Sequence, residues 1–360
     1  MPQTTARQAL LRLAQTHDLS GVRERLLPMA DTLAADLLAL EQGLANAIDK
    51  DEHTVAAAAA HLMAAGGKRV RPVLCLLVAK AFPPGEPPPS IVLLAQVAEL
   101  IHNATLMHDD VIDLGDTRRD RPTARFVFGN GASVLGGDLL LVQAIGLIEA
   151  AGVPDLLGSM LNVLRRMIAA ESLQLENRYR TDVTIEDYFE VSEGKTASLF
   201  EWAVEAGARA VGATDDVVAQ LIRFGHHTGV AFQLLDDLLD LEHDPAAIGK
   251  NVLQDVQGGT LTAPILLALA EEPDLARRVA DAAKDAPRDH AGEEHAAASL
   301  DDRLAADLVD AVHRTGARDA TRTLIAQHTA RALAALSVLP DSPARDALAS
   351  VAKGMAERAR

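Results

Sequence analysis

Two short runs of carboxylates are the residues with the plainest chemical potential. Asp109, Asp110 and Asp113 lie in His108-Asp109-Asp110-Val111-Ile112-Asp113, and Asp236, Asp237 and Asp240 lie in Gln233-Leu234-Leu235-Asp236-Asp237-Leu238-Leu239-Asp240. Each trio has the spacing i, i+1, i+4 in a stretch of helix formers without proline. On a helix the first and last carboxylates therefore project from one face, one turn apart. Carboxylates crowded beside leucines repel one another and resist desolvation, so a cation is expected. Hard oxygen donors favour Mg2+ or Ca2+, and Mg2+ is commonly held by one or two carboxylates plus substrate phosphates. One such trio reads as well as a solvated helix face; two of them, both in apolar helices and both followed by basic residues, favour the metal.

Cations stand at matching places. Lys68, Arg69 and Arg71 follow Gly66-Gly67 and are closed by Pro72, so long basic arms on a short backbone can converge on one phosphate. The alternative is compensation of a helix C-terminal dipole. Arg118, Arg119 and Arg121 follow the first trio, which suggests metal on one side of a phosphate and arginine on the other. Gly194-Lys195-Thr196 interrupts a helical pattern and can offer an ammonium and a hydroxyl to a phosphate. Gly249-Lys250 follows the second trio, and His102 lies two helical turns before Asp109 on its face. His226 and His227 are adjacent, face different ways on a helix and make poor joint metal ligands.

The elements that must carry these groups are helices. Residues 5–49 form an amphipathic pattern broken near Ser20-Gly21 and Pro28, with a restart at Asp31-Thr32. Residues 53–65 end at the glycine pair, 73–82 form a buried helix, and a proline-rich loop leads to Ser90 as the cap of a helix over 91–113. Gly115 ends that helix. A helix over 130–151 starts with Gly136-Gly137-Asp138, small residues that admit a close neighbour. Others are expected over 154–180, 184–191 (with Ile185, Tyr188 and Phe189 as a core stripe), 197–207, 215–241, 262–270 and from 300 to the end. Residues 281–298 mix charge, alanine and glycine and read as an exposed insertion.

Composition agrees. Hydrophobic residues make up 49% and aromatics only 3%, which suits an all-α chain and starves a sheet. No low-complexity linker divides the sequence, so one domain over 1–360 is expected, with helices in 1–50 serving packing or dimer contact. A net charge of −17, from 34 basic and 51 acidic residues, argues against nucleic acid as partner. Cys75 is the only cysteine, so no intrachain disulfide exists and a reducing compartment is expected. No run of about 18 uncharged apolar residues occurs, residues 73–79 are too short to span a bilayer, and residues 1–20 lack a secretory pattern. A cytoplasmic protein without a transmembrane segment is expected.

Taken in order and spacing, several motifs resemble the trans-isoprenyl diphosphate synthases of the polyprenyl synthetase family. They are Gly66-Gly67-Lys68-Arg69-x-Arg71-Pro72, Glu99-Leu100-Ile101-His102-x-Ala104-Thr105-Leu106-x-His108-Asp109-Asp110-x-x-Asp113, Arg118-Arg119, Pro122-Thr123, Gly137-Asp138, Lys195-Thr196-Ala197, Phe232-Gln233-x-x-Asp236-Asp237-x-x-Asp240 and Gly249-Lys250. The resemblance runs from Gly66 to Pro264. It implies the isoprenoid synthase fold, a bundle of long helices around a central cavity, and a homodimer. It also implies three Mg2+ on Asp109, Asp110, Asp113, Asp236, Asp237 and Asp240, with Arg118, Lys195, Thr196, Gln233 and Lys250 on an allylic diphosphate. Lys68, Arg71, His102 and Arg119 would hold isopentenyl diphosphate. Metal-assisted loss of diphosphate gives an allylic cation, which the isopentenyl double bond attacks, without a protein nucleophile.

Two places depart from the family's pattern. Asp120 stands where a glycine is usual after the two arginines, and Gly259-Thr260-Leu261-Thr262-Ala263-Pro264 has Thr260 where a lysine is usual. One cation on the allylic diphosphate is thus missing, and weaker binding of that substrate is expected. One turn before Asp109 the residues Ala104 and Thr105 are small, as are Ala144 and Gly146 on the next helix, so a deep tunnel and a medium-to-long polyprenyl product are expected, with only weak membrane contact for its release. Alternatives are a short-chain (geranylgeranyl or farnesyl) diphosphate synthase, a class I terpene cyclase, which lacks the Gly-Gly-Lys-Arg site, and a non-catalytic subunit of a heteromeric synthase, which tends to lose the aspartates.

Overall fold

The computed structural model describes residues 20–48, 54–82, 87–118, 121–178, 180–241, 259–284 and 302–359. In chain order the helices are α1 (Ser20–Asn46), α2 (Thr54–Ala64), α3 (Val70–Lys80), α4 (Ser90–Ile112), α5 (Ala124–Phe128), α6 (Asn130–Ala151), α7 (Leu156–Asn177), α8 (Ile185–Ser192), α9 (Ser198–Ala210), α10 (Asp215–Asp240), α11 (Ala263–Glu271), α12 (Pro273–Lys284), α13 (Asp302–Arg314), α14 (Ala317–Ala335) and α15 (Pro343–Arg358). One π-helical turn, Glu193–Ala197, joins α8 to α9. Among the described residues the strands are two dipeptides, β1 (Thr117–Arg118) and β2 (Arg121–Pro122), paired antiparallel with Arg118 opposite Arg121. The all-α expectation holds.

Two compact units emerge from the packing. The first draws on Met1–Val163, Leu199–Gly225 and Ala332–Gly354, the second on Leu164–Ser198, His226–Arg331 and Met355–Arg360.

In the first unit, α4 is the core helix, with Leu94, Ala95, Val97, Ala98, Leu100, Ile101 and Ala104 fully buried. Helix α6 lies directly against it because Gly136 and Gly137 carry no side chain. A Cβ at Gly136 would come within 2.6 Å of Met107 Cε, and one at Gly137 would enter the His108 ring. Ser133 adds a hydrogen bond to the Met107 carbonyl at 2.9 Å. The end of α4 that bears the first aspartates is therefore clamped.

Helix α1 runs unbroken through Pro28 and through Asp31-Thr32, where a break and a restart were expected. Leu33, Leu37, Leu40 and Leu44 are all buried at helical spacing, each stabilising by roughly 1.5–3 kcal/mol. Together they outweigh the ~3 kcal/mol that an interior proline costs. Ser90 is not a cap either: it is the first helical residue after Pro89, and no side chain caps that end.

In the second unit, α8 opens with the capping box of Thr184 and Asp187. The expected break at Gly194-Lys195-Thr196 is instead the π turn, in which the Ser198 N–H reaches the Glu193 carbonyl. Gly194 makes this possible by lying against α7, where a Cβ would sit 2.6 Å from Ala170 Cβ and 3.0 Å from the Arg166 carbonyl. Helix α11 packs on α12 and α13, tied by Arg314 to Glu272 at 2.8 Å. The expected insertion at 281–298 lies outside the described residues after Lys284.

Among the described residues two helices, α4 and α6, are long and apolar enough to cross a membrane by length and composition, with 67% and 33% of their most apolar stretches buried. Helix α4 is thereby a core helix. Helix α6 leaves Leu135 (54% exposed) and Val142 (66%) uncovered.

Candidate functional site

The first trio sits at the C-terminal end of α4. Asp113 caps the helix, its N–H bonding the Asp109 carbonyl at 2.7 Å, and Gly115 N–H bonds the Asp110 carbonyl at 2.9 Å. The chain turns at Leu114, whose φ is +52°, rather than at Gly115 as expected. Asp109 is half-buried, Asp110 is 3% exposed and Asp113 is exposed. The last turn holds no basic residue. A helix C-terminus carries a negative dipole end that disfavours carboxylates by about 0.3–1 kcal/mol each and favours cations. Three aspartates placed there weaken the helix and attract a cation.

Arg118 reaches back from β1, with Nε and Nη2 each 2.9 Å from Asp110 Oδ1. Asp110 Oδ2 is buried without a hydrogen-bond partner. Burial pushes the Asp110 carboxyl above the usual carboxylate range; Arg118 opposes this and Asp113 adds to it. A buried carboxylate oxygen without a donor fits a hard cation or its water. The hairpin that delivers Arg118 is fixed by Thr123, whose hydroxyl donates to the Gly115 carbonyl at 2.7 Å and accepts from Phe126 N–H. Arg119 lies outside the described residues.

The glycine-flanked cations do not act as three. Arg69, at φ +51°, turns inward and is 7% exposed. Its Nη1 donates to Glu99 Oε1 at 2.5 Å and its Nε to Glu41 Oε1 at 2.9 Å. Burial by itself lowers the Arg69 pKa, but the charges of Glu99 and Glu41 outweigh it and hold the guanidinium protonated. The three-cation anion site is thus reduced to Lys68 and Arg71, and Arg69 anchors their loop to α4. Asn103 Nδ2 donates to the Glu99 carbonyl at 2.7 Å, next to half-buried His102. Arg71 lies in the first turn of α3, with its guanidinium 4.6 Å from the Phe200 ring centre.

Below the first trio, Ala104 and Ala144 are fully buried, and the Thr105 hydroxyl donates to the His102 carbonyl at 2.9 Å. Gly146 does not belong with them: it lies on the exposed face of α6, and a Cβ there would meet nothing.

The second trio, in the second unit, sits at the C-terminal end of α10, again with no basic residue in the last turn. Asp236 is half-buried, Asp237 is 4% exposed and Asp240 is exposed. The middle carboxylate is held by neutral groups. Tyr188 Oη donates to Asp237 Oδ2 at 2.6 Å and Gln233 Nε2 to Oδ1 at 2.8 Å. Thr196 Oγ1 donates to Gln233 Oε1 at 2.7 Å. Lys195, in the π turn, pairs with Glu171 at 2.6 Å and reaches Gln174 at 3.3 Å. Lys250 lies outside the described residues, and Thr260, in place of the usual lysine, is half-buried.

The His226 and His227 rings, expected to face different ways, lie edge-to-face with centres 4.9 Å apart and meet different partners. His226 approaches Glu193 at 3.6 Å, whereas His227 Nδ1 lies 3.3 Å from His328 Nδ1 and Phe189 stacks on His328. Among the described residues no three His, Cys, Asp or Glu side chains converge on one metal point.

Tyr188, a core residue by its place in the stripe, is buried. Its signal was the single polar atom in an apolar stripe, because a buried tyrosine hydroxyl needs a partner. Glu171 and Glu99 gave no comparable signal, since each depends on a partner distant in the chain.

The polyprenyl synthetase family model matches residues 52–300. The octaprenyl diphosphate synthase of Escherichia coli (strain K12) is 34% identical over 328 residues, covering 91% of this chain and 97% of that one. Two solved structures are similar over 92% of this chain. One is a decaprenyl diphosphate synthase from Rhodobacter capsulatus (34% identity, TM-score 0.81, 99% of that chain). The other is a polyprenyl synthase from Caulobacter crescentus CB15 complexed with calcium and isoprenyl diphosphate (31% identity, TM-score 0.79, 97% of that chain).

Proposed function

This chain belongs to the polyprenyl synthetase family, and from that premise we propose that it is a prenyltransferase condensing isopentenyl diphosphate with an allylic diphosphate, head to tail and trans. The observation that carries the reading is the pair of carboxylate trios, each at a helix C-terminus that holds no cation of its own. Their donors are carboxylate oxygens throughout, and the unpartnered buried oxygen of Asp110 is suited to a divalent ion. We assign that ion as Mg2+, three per site, held by Asp109, Asp113, Asp236 and Asp240 with Asp110 and Asp237 behind them. Bound there, magnesium supplies neutralisation of the charge that develops on a departing diphosphate.

The chain's own residues do the rest. Arg118, Lys195, Thr196, Gln233 and Lys250 bind and orient the allylic diphosphate. Lys68, Arg71, His102 and Arg119 hold isopentenyl diphosphate. Proximity and charge stabilisation then suffice. The allylic C–O bond breaks, the isopentenyl double bond forms the new C–C bond, and a proton passes to the released diphosphate. The small side chains at Ala104 and Thr105 and the octaprenyl and decaprenyl names of the relatives support a medium-to-long-chain polyprenyl product.

A homodimer is part of the proposal. Phe126 and Val127 on α5 and Val134, Leu135 and Val142 on α6 are large apolar side chains left exposed, which a second copy would cover. Light scattering of the purified chain should give twice the monomer mass.

The direct test is chromatography of products from isopentenyl diphosphate with ten-, fifteen- or twenty-carbon primers and Mg2+. Elongation by several five-carbon units is expected. Consumption of the allylic diphosphate alone would indicate a cyclase, and no turnover until a second protein is added would indicate a non-catalytic subunit.

A further inference from the structure

The hydrogen bonds behind the second trio form a line from Thr196 through Gln233 to Asp237, and it is closed from the other side by Tyr188. Each link has one orientation. A carboxylate accepts only, so Tyr188 and Gln233 must donate; with its amide N–H on Asp237, Gln233 presents its carbonyl oxygen, to which the Thr196 hydroxyl donates. Tyr188 itself is buried in α8, its ring edge-to-face with Phe189 at 5.5 Å.

We propose that Tyr188 is a positioning residue for the second trio: its hydroxyl, with the Gln233 amide, fixes the Asp237 carboxylate and so sets how Asp236 and Asp240 are presented to the cation. This rests on the reading that the trio binds metal and diphosphate. Both oxygens of Asp237 are engaged by donors, and the residue is only 4% exposed. Without the phenol, Oδ2 would lose a donor at 2.6 Å in that buried position, and the carboxylate would be freer to rotate or move toward the carboxylates beside it. The groups that orient a metal-binding carboxylate shape the site as the ligands do.

The variant that isolates the idea is Tyr188→Phe, which keeps the ring and removes one oxygen. The readout is Mn2+ binding in the presence of inorganic diphosphate, followed by electron paramagnetic resonance, with Leu266→Ala, at a buried position of α11 in the same unit, as a variant that only destabilises. Tyr188→Phe should weaken Mn2+ binding by about 10-fold, raise the Mg2+ needed for half-maximal turnover in parallel, and leave the KM for isopentenyl diphosphate unchanged. Leu266→Ala should lower the melting temperature and leave Mn2+ affinity as in the parent chain. Parental Mn2+ affinity in Tyr188→Phe, or equal weakening in both variants, overturns the proposal. Asp236→Asn separates the levels: if it loses Mn2+ while Tyr188→Phe does not, only the positioning role fails, and if it binds Mn2+ like the parent, the metal reading fails with it.

Discussion

The two aspartate trios share a pattern and differ in how it is supported. In both, the first carboxylate is half-buried, the middle one buried and the last exposed, at the C-terminal end of a long helix. The middle residue, Asp110, is held by a cation that returns on a hairpin eight residues later. Asp237 is held by a phenol and an amide, one of them a helical turn back along its own helix. An ionised buried carboxylate costs several kcal/mol unless a partner compensates it. A charged partner does so with a full opposite charge, whereas neutral donors do so with the partial charges of their O–H and N–H dipoles. The middle carboxylate of the first trio is thus met by a guanidinium, and that of the second by a phenol and an amide.

Arg118→Met should break this comparison most severely. Losing a charge-assisted pair to a buried carboxylate costs about 2 kcal/mol, read as a lower denaturant midpoint, and turnover should fall about 10²-fold as the first trio loses its orienting partner. In Tyr188→Phe the Asp237 carboxylate loses one uncharged donor rather than a guanidinium, and stability should fall by about 1.5 kcal/mol. Equal losses in the two variants would show that cationic and neutral support are equivalent here.

A second substitution concerns the helix of the first trio alone. Ala104→Phe places a ring one turn before Asp109 and should shorten the prenyl product, seen by reversed-phase chromatography. Its full burial means that overpacking should also cost about 1–3 kcal/mol. Unchanged product length would remove Ala104 from the floor of the tunnel.

The smallest expected effect belongs to the second unit. Burial, and then the charges of His227 and Arg331, hold the His328 pKa down from 6.5 to about 4. The unfolded chain takes up this proton near pH 6.5 and the folded chain only near pH 4. Stability from this residue is thus complete above pH 6.5 and lost as pH falls toward 4. His328→Leu should flatten the melting temperature across that window, and an unchanged slope would show that other groups set it.

Much of this was legible beforehand because it is local. Helical spacing placed both trios, Gly136-Gly137 announced a close helix neighbour, and Gly66-Gly67 the end of α2. What escaped depends on partners far along the chain. Arg69 reads as one of three equivalent cations until Glu99 and Glu41 draw it inward. Tyr188 reads as core because an apolar stripe does not say which acceptor lies 49 residues away. The π turn at Lys195 shares the periodicity of a helix break, and only the fit of Gly194 against Ala170 distinguishes them. Helix α1 ignores its proline because a buried leucine stripe outweighs it.

The most direct test of the paired trios is the rate of inorganic diphosphate release from an allylic diphosphate, with isopentenyl diphosphate and Mg2+ saturating, in the parent chain, Asp109→Asn and Asp236→Asn. If both trios serve one ionisation, each substitution alone should slow release by at least ~10²-fold. Near-parental release from either variant would contradict a shared role for the two trios in one reaction.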